Sequence, residues 1–251
     1  MCKISATKWF SRVAMAAIFS LAGLPAMADS VVFEGTSGSL SASVEFEIDG
    51  SNLVATLTNT STADVLVPAD VLTAVFFSVV GDPTLTRVSA VLNVGSVVFF
   101  GGTDPGGVVG GEFAYLIGIG GSTPNGETQG ISSVGLDIFG PSDRFPGSDL
   151  QPPTSPDGLQ YGITSAGDDT STGNTPVTGG GGALIQNSVV FTLGSLPDGF
   201  ALSDIYNVSF QYGTDLSEPN VPGRLVAEPM TWSLLGLGLA GSALRRIRKR
   251  A

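Results

Sequence analysis

The residues with the most chemically suggestive spacing lie at the two ends of the chain, and they point to chemistry performed on the protein. Near the C-terminus, Glu228-Pro229 precedes an uncharged run from Met230 to Leu244, which is followed by Arg245, Arg246, Arg248, Lys249 and Arg250. A helix of about 15 residues rises about 22 Å, short of a hydrocarbon core of about 30 Å. Such a segment partitions into a bilayer but spans it poorly. The cations behind it hold the C-terminus in the cytoplasm and leave Glu228-Pro229 near the outer interface, within reach of a membrane-embedded enzyme. Pro229 lacks a backbone donor and suits the first turn or the boundary of that helix. At the N-terminus, Lys3, Lys8 and Arg12 precede the apolar stretch Val13 to Leu24, and Pro25 breaks it. Ala26-Met27-Ala28 then has the small-x-small pattern of a signal-peptidase site, so cleavage is expected after Ala28. Cys2 leaves with that peptide.

The end segments resemble a known sorting signal. Val226-Ala227-Glu228-Pro229, the helix core Leu235-Gly236-Leu237-Gly238-Leu239-Ala240-Gly241 and the cations from Arg245 to Arg250 are similar, in that order, to the PEP-CTERM signal of Gram-negative bacteria. Ala227 stands where the family has its first proline. The resemblance implies recognition by an exosortase, release of the tail, and delivery to the cell surface or an exopolysaccharide matrix. Two internal stretches, Ser155 to Ser165 and Asn207 to Thr214, look like segments shared by exosortase-dependent surface proteins. They imply no active site.

Between these ends, residues 29–227 form the expected exported domain. All but one of the chain's 22 acidic residues fall there, against Arg87, Arg144 and Arg224, a balance of −18. Nucleic acid is excluded as a partner on charge, because phosphates need a cationic surface. Histidine is absent and the exported region has no cysteine. That removes imidazole-assisted nucleophiles and most zinc or copper chemistry. Both tryptophans lie in the end segments, leaving Tyr115, Tyr161, Tyr206 and Tyr212 as candidate sugar-facing aromatics. Gly101-Gly102 and Gly106-Gly107 read as turns, since neither leads into Lys-Ser/Thr and a helix.

The body that would carry these features reads as β-strands punctuated by glycine. Leu40, Ala42, Val44, Phe46 and Ile48 alternate with polar residues, which gives a strand with one wet face. Asp49-Gly50 signals a hairpin into a returning strand, Leu53 to Asn59. The run Val71 to Val80 is apolar throughout and suits a strand buried on both faces, with a short helical start at Pro68-Ala69-Asp70. Val88, Ala90, Leu92 and Val94 alternate again, and a turn at Asn93 to Ser96 leads into Val97 to Phe100. Glu112 to Ile119, Val134 to Phe139, Ser188 to Leu193 and Ile205 to Tyr212 complete the expected strands. The pattern predicts an all-β, antiparallel β-sandwich or jelly roll.

A long loop, about 140–182, interrupts the strands, with one short strand expected at Tyr161 to Thr164. It gathers Asp143, Asp149, Asp157, Asp168 and Asp169, and calcium is the cation such oxygens would hold. No residues are nominated as catalytic. The reading of the whole is a non-enzymatic surface or matrix protein whose partners are signal peptidase, an exosortase, transiently the inner membrane, and exopolysaccharide. The alternative is a carbohydrate-binding module or calcium-assisted adhesin. A glycan-cleaving enzyme using two carboxylates ranks below both.

Overall fold

The computed structural model describes residues 30–141, 147–152 and 159–226. The expected signal peptide with Ala26 and Ala28, the sorting segment from Glu228 to Arg250, and the loop residues Asp143 and Asp157 lie outside the described residues. Among those described, no helix is long and apolar enough to cross a membrane.

In chain order the strands are β1 (Ser30–Ser37), β2 (Leu40–Asp49), β3 (Asn52–Asn59), β4 (Leu72–Val79), β5 (Thr86–Leu92), β6 (Val97–Phe99) and β7 (Ala114–Ile117). They continue with β8 (Gln129–Ser132), β9 (Gly162–Thr164), β10 (Leu184–Gln186), β11 (Ser188–Gly194), β12 (Ile205–Tyr212), β13 (Asn220–Pro222) and β14 (Arg224–Leu225). The first sheet runs β14-β1-β2-β3-β11-β5, and the second runs β13-β12-β4-β9-β10-β6. In the second sheet β8 also pairs with β4, and β7 with β8.

The first sheet is antiparallel throughout, and period two builds it. Ala42, Val44 and Phe46 of β2 are buried, as are Leu53, Ala55 and Leu57 of β3, and the residues between them face outward. The hairpin pairs Asp49 with Asn52, so its turn residues are Gly50, at φ +61°, and Ser51. The turn thus falls one residue later than Asp49-Gly50. The inner faces of the two sheets share one core: Phe46 meets Phe77 with ring centroids 5.3 Å apart, and Phe113 meets Phe191 at 4.9 Å. Each such buried side chain contributes about 1.5–3 kcal/mol. Asn59, at the end of β3, donates from Nδ2 to the Ile163 carbonyl at 3.0 Å and ties one sheet to the other.

The expectation of a wholly antiparallel architecture is corrected in the second sheet, where β9 and β10 run parallel. Parallel neighbours need a crossover, and the excursion from Ser165 to Ala183 provides it. This is the physical reason for the latter half of the long loop. The segment is not structureless: it carries a kinked turn at Pro176–Gly180, with Gly179 at φ +99°, and its Val177 packs with Val65, Val71, Leu159 and Leu184.

Every residue of β4 is buried, as its apolar run requires. The cover on its outer face comes from Val134 to Phe139, expected above as a strand. It is instead a turn, with Leu136 and Asp137 at φ +52° and +55° and Phe139 N–H bonded to the Gly135 carbonyl at 2.7 Å. Val134, Leu136 and Phe139 lie against Ala74 and Phe76. The strand that does pair there, β8, has almost no periodic signal. Its Gly130 is required by packing, since a Cβ would come within 2.6 Å of the Phe76 ring. On β5 the expected alternation breaks at Val88, which is 43% exposed. A bulge pairs Ser89 with Thr192 but Arg87 with Leu193, leaving Val88 over and turning it to solvent. Val94 is 95% exposed in the turn that carries the chain from β5 to β6.

Candidate functional site

The loop after β6 builds one wall of a cleft. Asp104 and Val108 close a tight hairpin, with Asp104 N–H donating to the Val108 carbonyl at 3.0 Å and Gly106 and Gly107 at φ +86° and +76°. Leu92 N–H bonds the Gly107 carbonyl and Val109 N–H the Ala90 carbonyl, both at 2.9 Å, which fastens the hairpin to the edge of β5. A 3-10 turn at Gly110–Glu112 follows. The opposite wall is Tyr161, at φ +62° beside β9. Its N–H donates to the Ala183 carbonyl and its phenol to the Gly102 carbonyl, each at 2.6 Å. Gly102, Thr103, Asp104, Val108, Val109, Gly111, Glu112 and Tyr161 enclose about 310 Å³.

This cleft is acidic. Burial pushes the Tyr161 phenol above its ordinary pKa, and the negative charges of Glu112 and then Asp104 add to that against the Gly102 hydrogen bond. Tyr161 is therefore a neutral donor at physiological pH. Carboxylates accept pairs of hydroxyl protons, so the cleft suits a polyhydroxylated, uncharged or cationic ligand and repels anions. Of the four tyrosines, the structure places Tyr161 here. Tyr115 donates to Gln129 Oε1 at 2.7 Å and Tyr212 is fully buried in the core. Asp104 and Glu112 were not singled out by sequence; nothing in Asp104-Pro105-Gly106-Gly107 distinguishes it from an ordinary turn.

The acidic residues expected to hold calcium are distributed differently. Asp149 sits in a bridge beside Ala114 at the start of β7. Asp168 and Asp169 instead face Asp64, a residue outside the expected set. Val65 N–H donates to Asp168 Oδ1 at 3.1 Å, Asp169 N–H to Asp64 Oδ1 at 2.9 Å, and the Thr172 hydroxyl to Asp64 Oδ2. Asp169 Oδ1 accepts from the Ser171 N–H and hydroxyl at 3.0 and 2.6 Å. The Thr172 bond lowers the Asp64 pKa, and the Ser171 bonds lower that of Asp169. Burial raises that of Asp168, and the neighbouring Asp64 raises it further. Among the described residues no group of three or more His, Cys, Asp or Glu side chains is arranged to hold a metal ion.

The stretch Asn207 to Thr214 is absorbed by a polar network on the outer face of the second sheet. Glu127 is fully buried there. It accepts from the Ser209 hydroxyl, from Asn125 N–H at 2.9 Å and from Asn125 Nδ2 at 3.0 Å. Burial raises its pKa, but the hydrogen bonds from Ser209 and Asn125 outweigh burial and leave it below the usual carboxylate range. Asn125 Nδ2 also donates to Asn220 Oδ1, and Asn220 Nδ2 to Ser209 Oγ, at 3.0 and 3.2 Å. Gln211 Nε2 donates to the carbonyls of Tyr212, Asp215 and Glu218 between 2.9 and 3.2 Å. These partners clamp the 118–128 loop and the β12–β13 hairpin. Their role is positioning.

Comparison of the chain with protein-family models, with curated proteins and with solved structures returns no match.

Proposed function

We propose that this chain is an exported, non-enzymatic surface or matrix protein, processed at both ends and sorted by an exosortase. The observation that carries the reading is the ordered series at the C-terminus: Glu228-Pro229, a glycine-rich apolar segment too short to span comfortably, and five cations. In this reading the two sheets form a β-sandwich of the jelly-roll kind, whose charge of −18 keeps it soluble and apart from other anionic polymers. The inner membrane holds only the precursor. The test is fractionation of cells with and without a working exosortase. The protein is expected at the surface in the first and as an inner-membrane precursor in the second. An unchanged distribution overturns the proposal.

The cleft at Tyr161 favours a second reading, a carbohydrate-binding module. Its volume of about 310 Å³ and its acidic, phenol-bearing walls suit a neutral or amino sugar. A glycan array read with the full chain and with Tyr161→Phe tests it: neutral or amino glycans retained by the first and weakened in the second support it. Binding confined to uronic acids contradicts it.

A further inference from the structure

Two loops, 60–67 and 165–174, meet backbone to backbone at one end of β9. Two glycines permit the approach. A Cβ at Gly167 would lie 2.8 Å from the Thr62 carbonyl, and one at Gly173, which has φ +89°, 2.6 Å from that of Leu66. Besides the carboxylate contacts described above, the Ser165 hydroxyl donates to the Ala63 carbonyl at 2.6 Å and Asn174 N–H to that of Leu66 at 2.9 Å. Asp64 and Asp168 each accept a backbone proton from the opposite loop. As a result the two carboxyl groups come within hydrogen-bonding reach of each other.

Two oxygens at this point are buried and have no hydrogen-bond partner, Asp168 Oδ2 and Thr164 Oγ1. Thr164 is 0% exposed, and its hydroxyl is directed at the Asp168 carboxyl. Gln186 Nε2 donates to the backbone carbonyls of Asp168 at 3.2 Å and Ala166 at 3.4 Å. The described cations lie elsewhere: Arg87 donates to the Gly147 carbonyl, and Arg224 is on β14, opposite Glu34 in the strand register. Two adjacent carboxylates therefore converge on a buried hydroxyl whose single proton can serve only one of them. Uncompensated buried oxygens of this kind are costly, and a hard cation satisfies all of them at once.

We propose that Asp64, Asp168 and Thr164 form the protein side of a calcium site that clamps loop 60–67 to loop 165–174. Calcium accepts carboxylate, hydroxyl and water oxygens in a flexible shell. A donor set of two carboxylates and one hydroxyl leaves the remaining positions to water. It belongs to the weak end of the range, with a Kd of about 10⁻⁴–10⁻³ M, which matches extracellular calcium. Asp169 lies outside the shell: its Oδ1 is held by Ser171 within its own loop, and it meets Asp64 through its backbone N–H. The site does not depend on the sorting signal.

The test is a calcium titration of the chelator-treated full chain, read by calorimetry and by thermal unfolding. Calcium is expected to raise the Tm with a Kd of about 0.1–1 mM. Asp168→Asn gives Asp64 an amide donor in place of a charge. It should keep or raise the calcium-free Tm while weakening calcium binding at least about tenfold. Thr164→Val should weaken binding a few-fold. Asp169→Asn and Asp149→Asn should leave it unchanged and so control for diffuse attraction to an acidic surface. Two results overturn the proposal. One is an equal loss in Asp169→Asn and Asp168→Asn. The other is no heat and no Tm shift at about 10 mM calcium, with a Tm that instead rises on acidification in the wild type and not in Asp168→Asn. That pattern means that Asp64 and Asp168 share only a proton.

Discussion

The first sheet keeps one face wet, whereas the second is covered on both. On β2 and β3 buried residues alternate with exposed or half-buried Ser, Thr and Glu, while β4 has no exposed position at all. Loops make the difference: the 134–139 turn lies over Ala74 and Phe76, and the β9–β10 crossover lies over Val71 and Leu184. The covering loops carry apolar side chains of their own, so they are packed elements with a defined place. The polar groups that depart from ordinary surface behaviour, Glu127, Asp168 and Tyr161, belong to the second sheet and its loops.

The largest expected effect tests the shared core between the sheets. Phe46→Asp buries an unpaired carboxylate against Phe77 and should abolish cooperative folding, whereas Glu47→Lys, one residue on and exposed, should change stability by no more than about 0.5 kcal/mol. Equal effects in urea denaturation would reverse the register. Next is the cover itself. Phe76 stacks on Phe139 at 6.2 Å, so Phe76→Ala should cost about 3–5 kcal/mol even though it faces away from the first sheet. A loss near 1 kcal/mol would show that the turn is not packed there.

A smaller effect distinguishes the polar clamp. Ser209→Ala removes a donor from fully buried Glu127 and should cost about 1–3 kcal/mol. Because the Glu127 pKa is lowered in the fold, its contribution is fully present above the unfolded value of about 4.3 and is lost as pH falls through the folded value. Glu127→Gln should therefore lower stability at neutral pH and flatten the acid limb of a stability–pH curve. A curve parallel to wild type would mean that the carboxylate is not stabilised. The smallest effect is on the first sheet: Val88→Thr should change stability by no more than about 0.5 kcal/mol, because the bulge turns this side chain to solvent.

The same contrast explains what could be read from the residues alone. Strands β2, β3, β4, β11 and β12 were legible because apolar alternation, or an unbroken apolar run, survives when a strand is long and its partners are regular. Gln129-Gly130-Ile131-Ser132 was not, since its place is set by Phe76 pressing on Gly130. Val134 to Phe139 resembled a strand because its apolar residues bury against a sheet, which a turn also achieves when two residues adopt positive φ. Val88 misled because one inserted residue inverts alternation. Of the sites, Asp168 was legible as an acid in a long loop. Its partners Asp64 and Thr164 were not, because the contact between them is made by tertiary approach of two loops. Asp104, Glu112 and Tyr161 likewise converge from separate segments.

Under the proposed function, the ends of this chain are signals to be removed and the two-sheet body is what reaches the surface. Intact-mass measurement of the surface-associated protein, in cells with a working exosortase, tests it most directly. The expected result is a chain that begins at Asp29 and ends near Glu228, with the cations from Arg245 to Arg250 absent, and uncleaved precursor when Glu228 is replaced by Ala. Recovery of a chain running through to Ala251 would contradict it and make the tail a lasting anchor.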